Sequence, residues 1–236
     1  MLPPGALADM VAGTYSAFAA LAALRHAQDT AQGQVIDLSL FEPLFSVLGP
    51  MAAVYRHTGR VPQRTGSRSE TSAPRNVYRC GDGGGIALSG STQTVSRRLF
   101  AAIGRPELVT DPRFVDNGAR LANFAELDAV LGDFFAGRPL AENVQIMNSA
   151  GVAVATVMDI SGLLDTEYFA SRGVVVDRPD VDGEPVPMHC VVPRLSGSPG
   201  SIRSPAPRLG QHTAEVMAEL LTREQWQQVQ QKGAFG

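Results

Sequence analysis

Lysine is nearly missing from this 236-residue chain: Lys232 stands alone against 19 arginines scattered along the sequence. The scatter reads as a coding-composition bias, because clustered cations are what phosphate recognition requires. No charge of one sign dominates. The formal net charge is −3, which argues against non-specific nucleic-acid binding. Cysteine is scarce too: Cys80 and Cys190 make no disulfide framework, so a reduced, cytoplasmic setting is expected. The amino end has no basic segment of the kind that opens a signal peptide. The uncharged stretch from Met10 to Leu24 reads as too short and too alanine-rich to span a bilayer. No membrane partner and no nucleic-acid partner are therefore expected. Glycine (24) and proline (16) stay below low-complexity levels, and 44% hydrophobic residues is enough for a real core.

The motif inventory has gaps of its own. There is no G-x-S-x-G, no Walker A loop and no G-x-G-x-x-G opening a helix. His26, His57, His189 and His212 lack the i+3 or i+4 partners of ligand clusters, so no metal is expected; the His189-Cys190 pair reads as packing. Gly81–Gly85 reads as a hairpin turn in preference to a phosphate cradle.

What is present alternates between helix and strand. After the breaker cluster Pro3-Pro4-Gly5, a helix is expected from Leu7 to about Asp29. It is apolar nearly all round, which predicts burial and close neighbours. Val35, Ile36 and Leu38 predict a strand over 34–40. A helix over 41–57 follows, with Pro43 tolerated in its first turn and Pro50 kinking or splitting it. Helix–strand–helix with tight connections is an α/β pattern. Residues 58–75, interleaving Gly, Ser and Pro with Arg60, Arg64 and Arg68, read as a linker or long loop.

Beyond it, strands are expected at 76–80, 86–89 and 152–157. Helices are expected from a Ser91 or Thr92 cap to Ile103, then over 117–135, 140–150 and 160–171. Residues 76–172 thus read as a small, mostly helical α+β domain. In 173–236, strands are expected at 174–177 and 186–192, an extended stretch at 193–207, and helices at 211–221 and 222–231. Thr222 and Gln225 have capping-box spacing.

Asp9 is the carboxylate of interest. An ordinary first-turn aspartate complementing the helix dipole explains it from spacing alone. Two points favour a function. Asp9 belongs to no solvated polar face, and helix N-terminal amides hold a carboxylate ionised and stabilise charge developing beside it. An ionised, partly desolvated carboxylate is a competent nucleophile.

Several stretches, in order, resemble the family III CoA-transferases, the group that includes formyl-CoA transferase, the carnitine CoA-transferases and α-methylacyl-CoA racemase. Ala8-Asp9-Met10 opening an alanine-rich helix matches the family's catalytic segment, and Gly33–Leu40 its following strand. Ala87–Gln93, Leu99-Phe100, Ile103–Leu108, Asp111–Phe114 and Phe169–Gly173 resemble its small domain. Pro207–Thr213 resembles the segment before its carboxy-terminal helix.

The resemblance implies an α/β fold: an incomplete Rossmann-like large domain (1–57), a linker (58–75), a small α+β domain (76–172), and a return linker with terminal helices rejoining the large domain (173–236). It implies an interlocked dimer. It also implies a reaction in which the Asp9 carboxylate attacks an acyl-CoA and CoA then passes to a carboxylic acid through an aspartyl-CoA thioester. Coenzyme A enters as substrate, with no metal or redox cofactor. Family members carry a long segment before the aspartate that supplies most CoA contacts. The resemblance therefore implies pairing with a chain supplying that half, a homodimer, or a non-catalytic partner subunit. The family's glycine-run loop corresponds to 66–72, which holds one glycine here, against an oxalate- or formate-specific activity. Racemases place a glutamate near the position of Gln93. An amide is no general base, which favours transferase over racemase. Gln93 is accordingly a substrate-binding candidate, or else a first-turn residue without substrate contact.

Overall fold

A computed structural model describes residues 6–233; the Pro3-Pro4-Gly5 breaker lies outside that range. The chain divides into two compact units, one ending at Gly66 and the other starting at Ser67.

The first unit is helical. Helix α1 spans Leu7–Thr30 and stops where Ala31 turns left-handed (φ 58°), its N–H returning to Ala27 O. Helices α2 (Phe41–Ser46) and α3 (Met51–Thr58) follow, split at Pro50 as the proline predicts. Tyr15 Oη and Ser46 Oγ, 2.9 Å apart, tie α1 to α2.

Two expectations fail in this unit. The 34–40 strand does not form: the segment is irregular, and no described strand offers it a ladder. β propensity is realised only against a partner strand. Nor is α1 buried. Met10 is 71% exposed and Phe18 74%, Leu21 and Leu24 are exposed as well, and Ala12 is its one buried residue. Two short helices have too little surface to cover a 24-residue apolar helix. By length and composition α1 does pass as a membrane span, a test that core helices of soluble proteins also pass.

The second unit is built on an antiparallel sheet of β1 (Arg75–Arg79), β2 (Gly85–Ser89) and β3 (Ala153–Val157), in the order β1-β2-β3. The glycine run between β1 and β2 is a turn: Cys80 N–H bonds Gly84 O, Gly83 N–H bonds Cys80 O, and Gly83 has φ 85°. Gly81 is required sterically, since a Cβ there would meet Ala136 O at 2.7 Å.

Helix α4 (Gln93–Ala102) is capped by Thr92, which accepts from Val95 N–H. The helix expected over 117–135 is two, α5 (Asn117–Ala122) and α6 (Phe124–Ala136). The break is at Asn123, whose Nδ2 donates to Ala119 O and Arg113 O, a local bond that competes with helix continuation. Helix α7 spans Leu140–Ser149. Leu127, Leu131 and Phe135, one stripe of α6 at four-residue spacing, pack with Ile86 and Leu88 of β2, Leu99 and Phe100 of α4, and Met147 of α7.

Beyond β3 come α8 (Ile160–Leu164), α9 (Glu167–Arg172), the antiparallel hairpin β4 (Val175–Pro179) and β5 (Pro185–His189), then α10 (Thr213–Leu220) and α11 (Arg223–Gln231). The Thr222–Gln225 capping box is formed. None of these last elements holds a fully buried residue.

Candidate active site

Asp9 is the third residue of α1. The opening amides of a helix have no intrahelical acceptor, and Ala6 at the N-cap supplies no side-chain oxygen. A first-turn carboxylate is the anion such an end favours. The Asp9 side chain is exposed and bonds to no group among the described residues. The partial desolvation expected of it is not supplied by the first unit: the face of α1 near its start that is covered is that of Ala12, and Asp9 itself is exposed. The carboxylate is thus exposed, and an acyl group could reach it.

Gln93 lies in the second unit, at the first position of α4, half-buried. Its amide is engaged at both ends: Nε2 donates to Val115 O (2.7 Å) and Oε1 accepts from Arg120 Nη1 (2.9 Å). These two bonds fix which way the amide faces and leave one N–H free to donate.

Arg120, which no motif or spacing singles out, organises this region. It is 1% exposed. Its Nε donates to Ala73 O (2.6 Å), and Nη1 is shared between Gln93 Oε1 and Phe114 O (3.0 Å). Burial pulls its pKa below the usual arginine range, and the Asp116 charge opposes that shift. A second cluster centres on Asp128. It accepts from Tyr78 Oη (2.6 Å) and Asn76 Nδ2 (3.1 Å), with Arg68 Nε 4.0 Å away and its guanidinium over the Phe124 ring. Burial first, and then the Asp128 hydrogen bond and charge, push the Tyr78 phenol well above its ordinary pKa. Both clusters join residues about fifty positions apart or less through side chains alone, and periodicity carries no signal for such pairs.

Among the described residues no group of three His, Cys, Asp or Glu side chains is placed to hold a metal ion. His189 Nδ1 lies 3.1 Å from Cys190 O, and His212 Nδ1 lies 3.3 Å from Glu215.

The model of CoA-transferase family III matches residues 1–213, which includes Asp9, both sheets and the segment before α10. The chain belongs to that family. It is 34% identical over 215 residues to succinyl-CoA–D-citramalate CoA-transferase of Chloroflexus aurantiacus, covering 91% of this chain and 54% of that protein. It is 35% identical over 218 residues to the beta subunit of succinyl-CoA–L-malate CoA-transferase of the same organism, again 91% and 54%. Among solved structures, a CAIB/BAIF family protein from Brucella suis superimposes with a TM-score of 0.74 at 28% identity, covering 94% of this chain and 57% of that one. Rv3272 of Mycobacterium tuberculosis shares the fold, with a TM-score of 0.77 at 24% identity. The family III chain described here spans about half the length of the curated relatives it matches.

Proposed function

We propose that this family III chain carries the nucleophile of a CoA-transferase, moving CoA from an acyl-CoA donor to a carboxylic acid acceptor. The observation that carries the reading is the exposed Asp9 carboxylate in the first turn of α1, which bonds to no group among the described residues. Its oxygen attacks the donor thioester carbonyl and expels CoA thiolate, leaving a mixed anhydride. The thiolate returns to the aspartyl carbonyl, releases the donor acid and leaves an aspartyl-CoA thioester. The acceptor carboxylate opens that thioester through a second anhydride, and CoA leaves on the new acid. Each step exchanges one acyl bond for another, and the positive end of α1 favours the oxyanions that form beside it. The named activities of the relatives support dicarboxylic acids as the acid class.

The substrate pocket needs more than the first unit. A helix as apolar and as exposed as α1 calls for a cover, and the relatives hold roughly as much chain again. The remaining half of the fold, in the same or a second polypeptide, would close over α1, desolvate Asp9 and hold CoA. The separately named alpha and beta subunits of the L-malate enzyme each match 91% of this chain, a precedent for pairing two related family III chains. In this reading 1–57 belongs to a large domain, 58–75 links it to a small domain at 76–172, and 173–236 returns. The assembly is an interlocked dimer in the cytoplasm, and the free Gln93 N–H meets a substrate oxygen.

Isotope exchange tests the reading. Half of the reaction suffices to move labelled succinate into succinyl-CoA. The chain should catalyse it when combined with the amino-terminal half of the D-citramalate relative, and Asp9→Ala should lower the exchange by at least about 10³-fold. Exchange that survives Asp9→Ala, or none in the combined preparation, overturns it.

A further inference from the structure

Gln93 presents one orientation of its amide and not the other, and Arg120 is what selects it. A primary amide has two nearly isosteric orientations, one offering oxygen and the other N–H. Here Oε1 accepts from Arg120 Nη1 (2.9 Å) and Nε2 donates to Val115 O (2.7 Å). The flipped amide would set N–H against a guanidinium and oxygen against a carbonyl, losing both bonds. The second Nε2 hydrogen meets no acceptor among the described residues, and Gln93 is only half-buried. The side chain is therefore a hydrogen-bond donor of fixed direction that a ligand can reach.

Arg120 cannot turn away from this contact. It is 1% exposed. Its Nε is held by Ala73 O just before β1, and Nη1 is held also by Phe114 O in the turn before α5. No carboxylate touches it among the described residues. Asp116, whose charge acts on it through space, uses Oδ1 to cap α5 at Ala119 N–H (2.8 Å). The buried cation thus bonds to neutral oxygens alone. A cation donating to an amide oxygen draws electron density from that amide and makes its N–H a stronger donor, above all toward an anion. The order Arg120 Nη1–H, Gln93 Oε1, Gln93 Nε2–H leads from a buried positive charge to an outward-facing donor.

We propose that Arg120 is a positioning residue, which locks the Gln93 amide as a donor to a carboxylate oxygen of the acid substrate. The proposal rests on the transferase reading, in which a carboxylic acid accepts CoA. Locking the amide before the acid arrives removes the ordering cost of a free glutamine and excludes the orientation that would turn oxygen toward the carboxylate. Lysine in place of Arg120 keeps the charge, but its single ammonium lacks the planar fork that reaches Ala73 O, Phe114 O and Gln93 Oε1 together.

The test titrates succinate into the combined preparation carrying Asp9→Ala, with free CoA present and glutamine selectively labelled for side-chain amide NMR. Gln93→Met identifies the Gln93 signals. Two separated Gln93 proton signals are expected, one of which moves as succinate saturates. Arg120→Lys should collapse them toward an ordinary exposed glutamine. With Asp9 intact, the same variant should raise KM for succinate about tenfold while changing kcat less than about threefold, a split that general loss of structure would not produce. Gln93→Glu leaves Arg120 in place but has no donor, and should weaken succinate binding by at least about tenfold with the second unit still folded. It decides the matter if Arg120→Lys does not fold. Gln93 signals unmoved by succinate, parental succinate binding in Gln93→Glu, or a folded Arg120→Lys with parental KM would overturn the proposal. The binding arm needs no turnover, so an absence of label exchange in the parent overturns the transferase reading separately.

Discussion

Arg120 and Asp128 show how polar side chains fix a small domain. A guanidinium buried without a carboxylate in contact is tolerated because three oxygens replace its water. Arg120→Met removes the charge but strands Ala73 O, Phe114 O and the Gln93 amide, and should destabilise the second unit by about 2–4 kcal/mol in denaturant unfolding. The Tyr78–Asp128 bond makes a pH-dependent prediction. The folded state holds the phenol's pKa above its ordinary value of 10.0, so the unfolded chain loses that proton first as pH rises. The contribution is fully present below pH 10 and declines above it. Tyr78→Phe should cost about 1 kcal/mol at neutral pH and flatten the alkaline decline. An alkaline decline as steep in the variant as in the parent would contradict that assignment.

At the scale of elements, local chemistry made some boundaries readable and others not. The Thr222–Gln225 capping box, the Thr92 cap and the split at Pro50 are each set within a single turn, so the sequence carried them. The break at Asn123 depends on a bond to Arg113 O, ten residues upstream, which a periodic reading cannot see. The strand expected at 34–40 failed for the opposite reason: its residues suit a strand, but pairing is a property of two segments. The same limit applies to the site. Asp9 drew notice as a charge opening an apolar helix and through the family resemblance, whereas no motif or spacing marks Arg120 or Asp128. The β1–β2 turn offers a steric check. Gly81→Ala drives a methyl into Ala136 O, and should cost about 1–3 kcal/mol, read as a lowered melting temperature of the second unit.

On the scale of the molecule, the two units differ in how complete they are. The second encloses a core from Ala73 to Val152 in which Ile86, Leu99, Leu131, Phe135 and Met147 are sealed from water. The first leaves Met10, Phe18 and Leu21 open, together with Phe41 and Phe45. Apolar surface of that extent favours association over a solvated monomer. Produced alone, the chain should show its first unit exchanging amide hydrogens far faster than the core around Leu131. Adding the complementary half of a relative should slow exchange in α1 selectively; unchanged exchange there would contradict the idea that α1 awaits a cover.

In the proposed reaction Asp9 becomes covalently acylated or thioesterified by an acyl-CoA. The most direct measurement is intact mass of the combined halves after mixing with succinyl-CoA, quenched in acid, with the adduct mapped by peptide fragmentation and Asp9→Ala run in parallel. A CoA-sized or succinyl-sized adduct on Asp9, discharged by hydroxylamine and lost in the variant, is the expected result. An adduct on any other residue, or turnover of succinyl-CoA with Asp9 unmodified throughout, would contradict it.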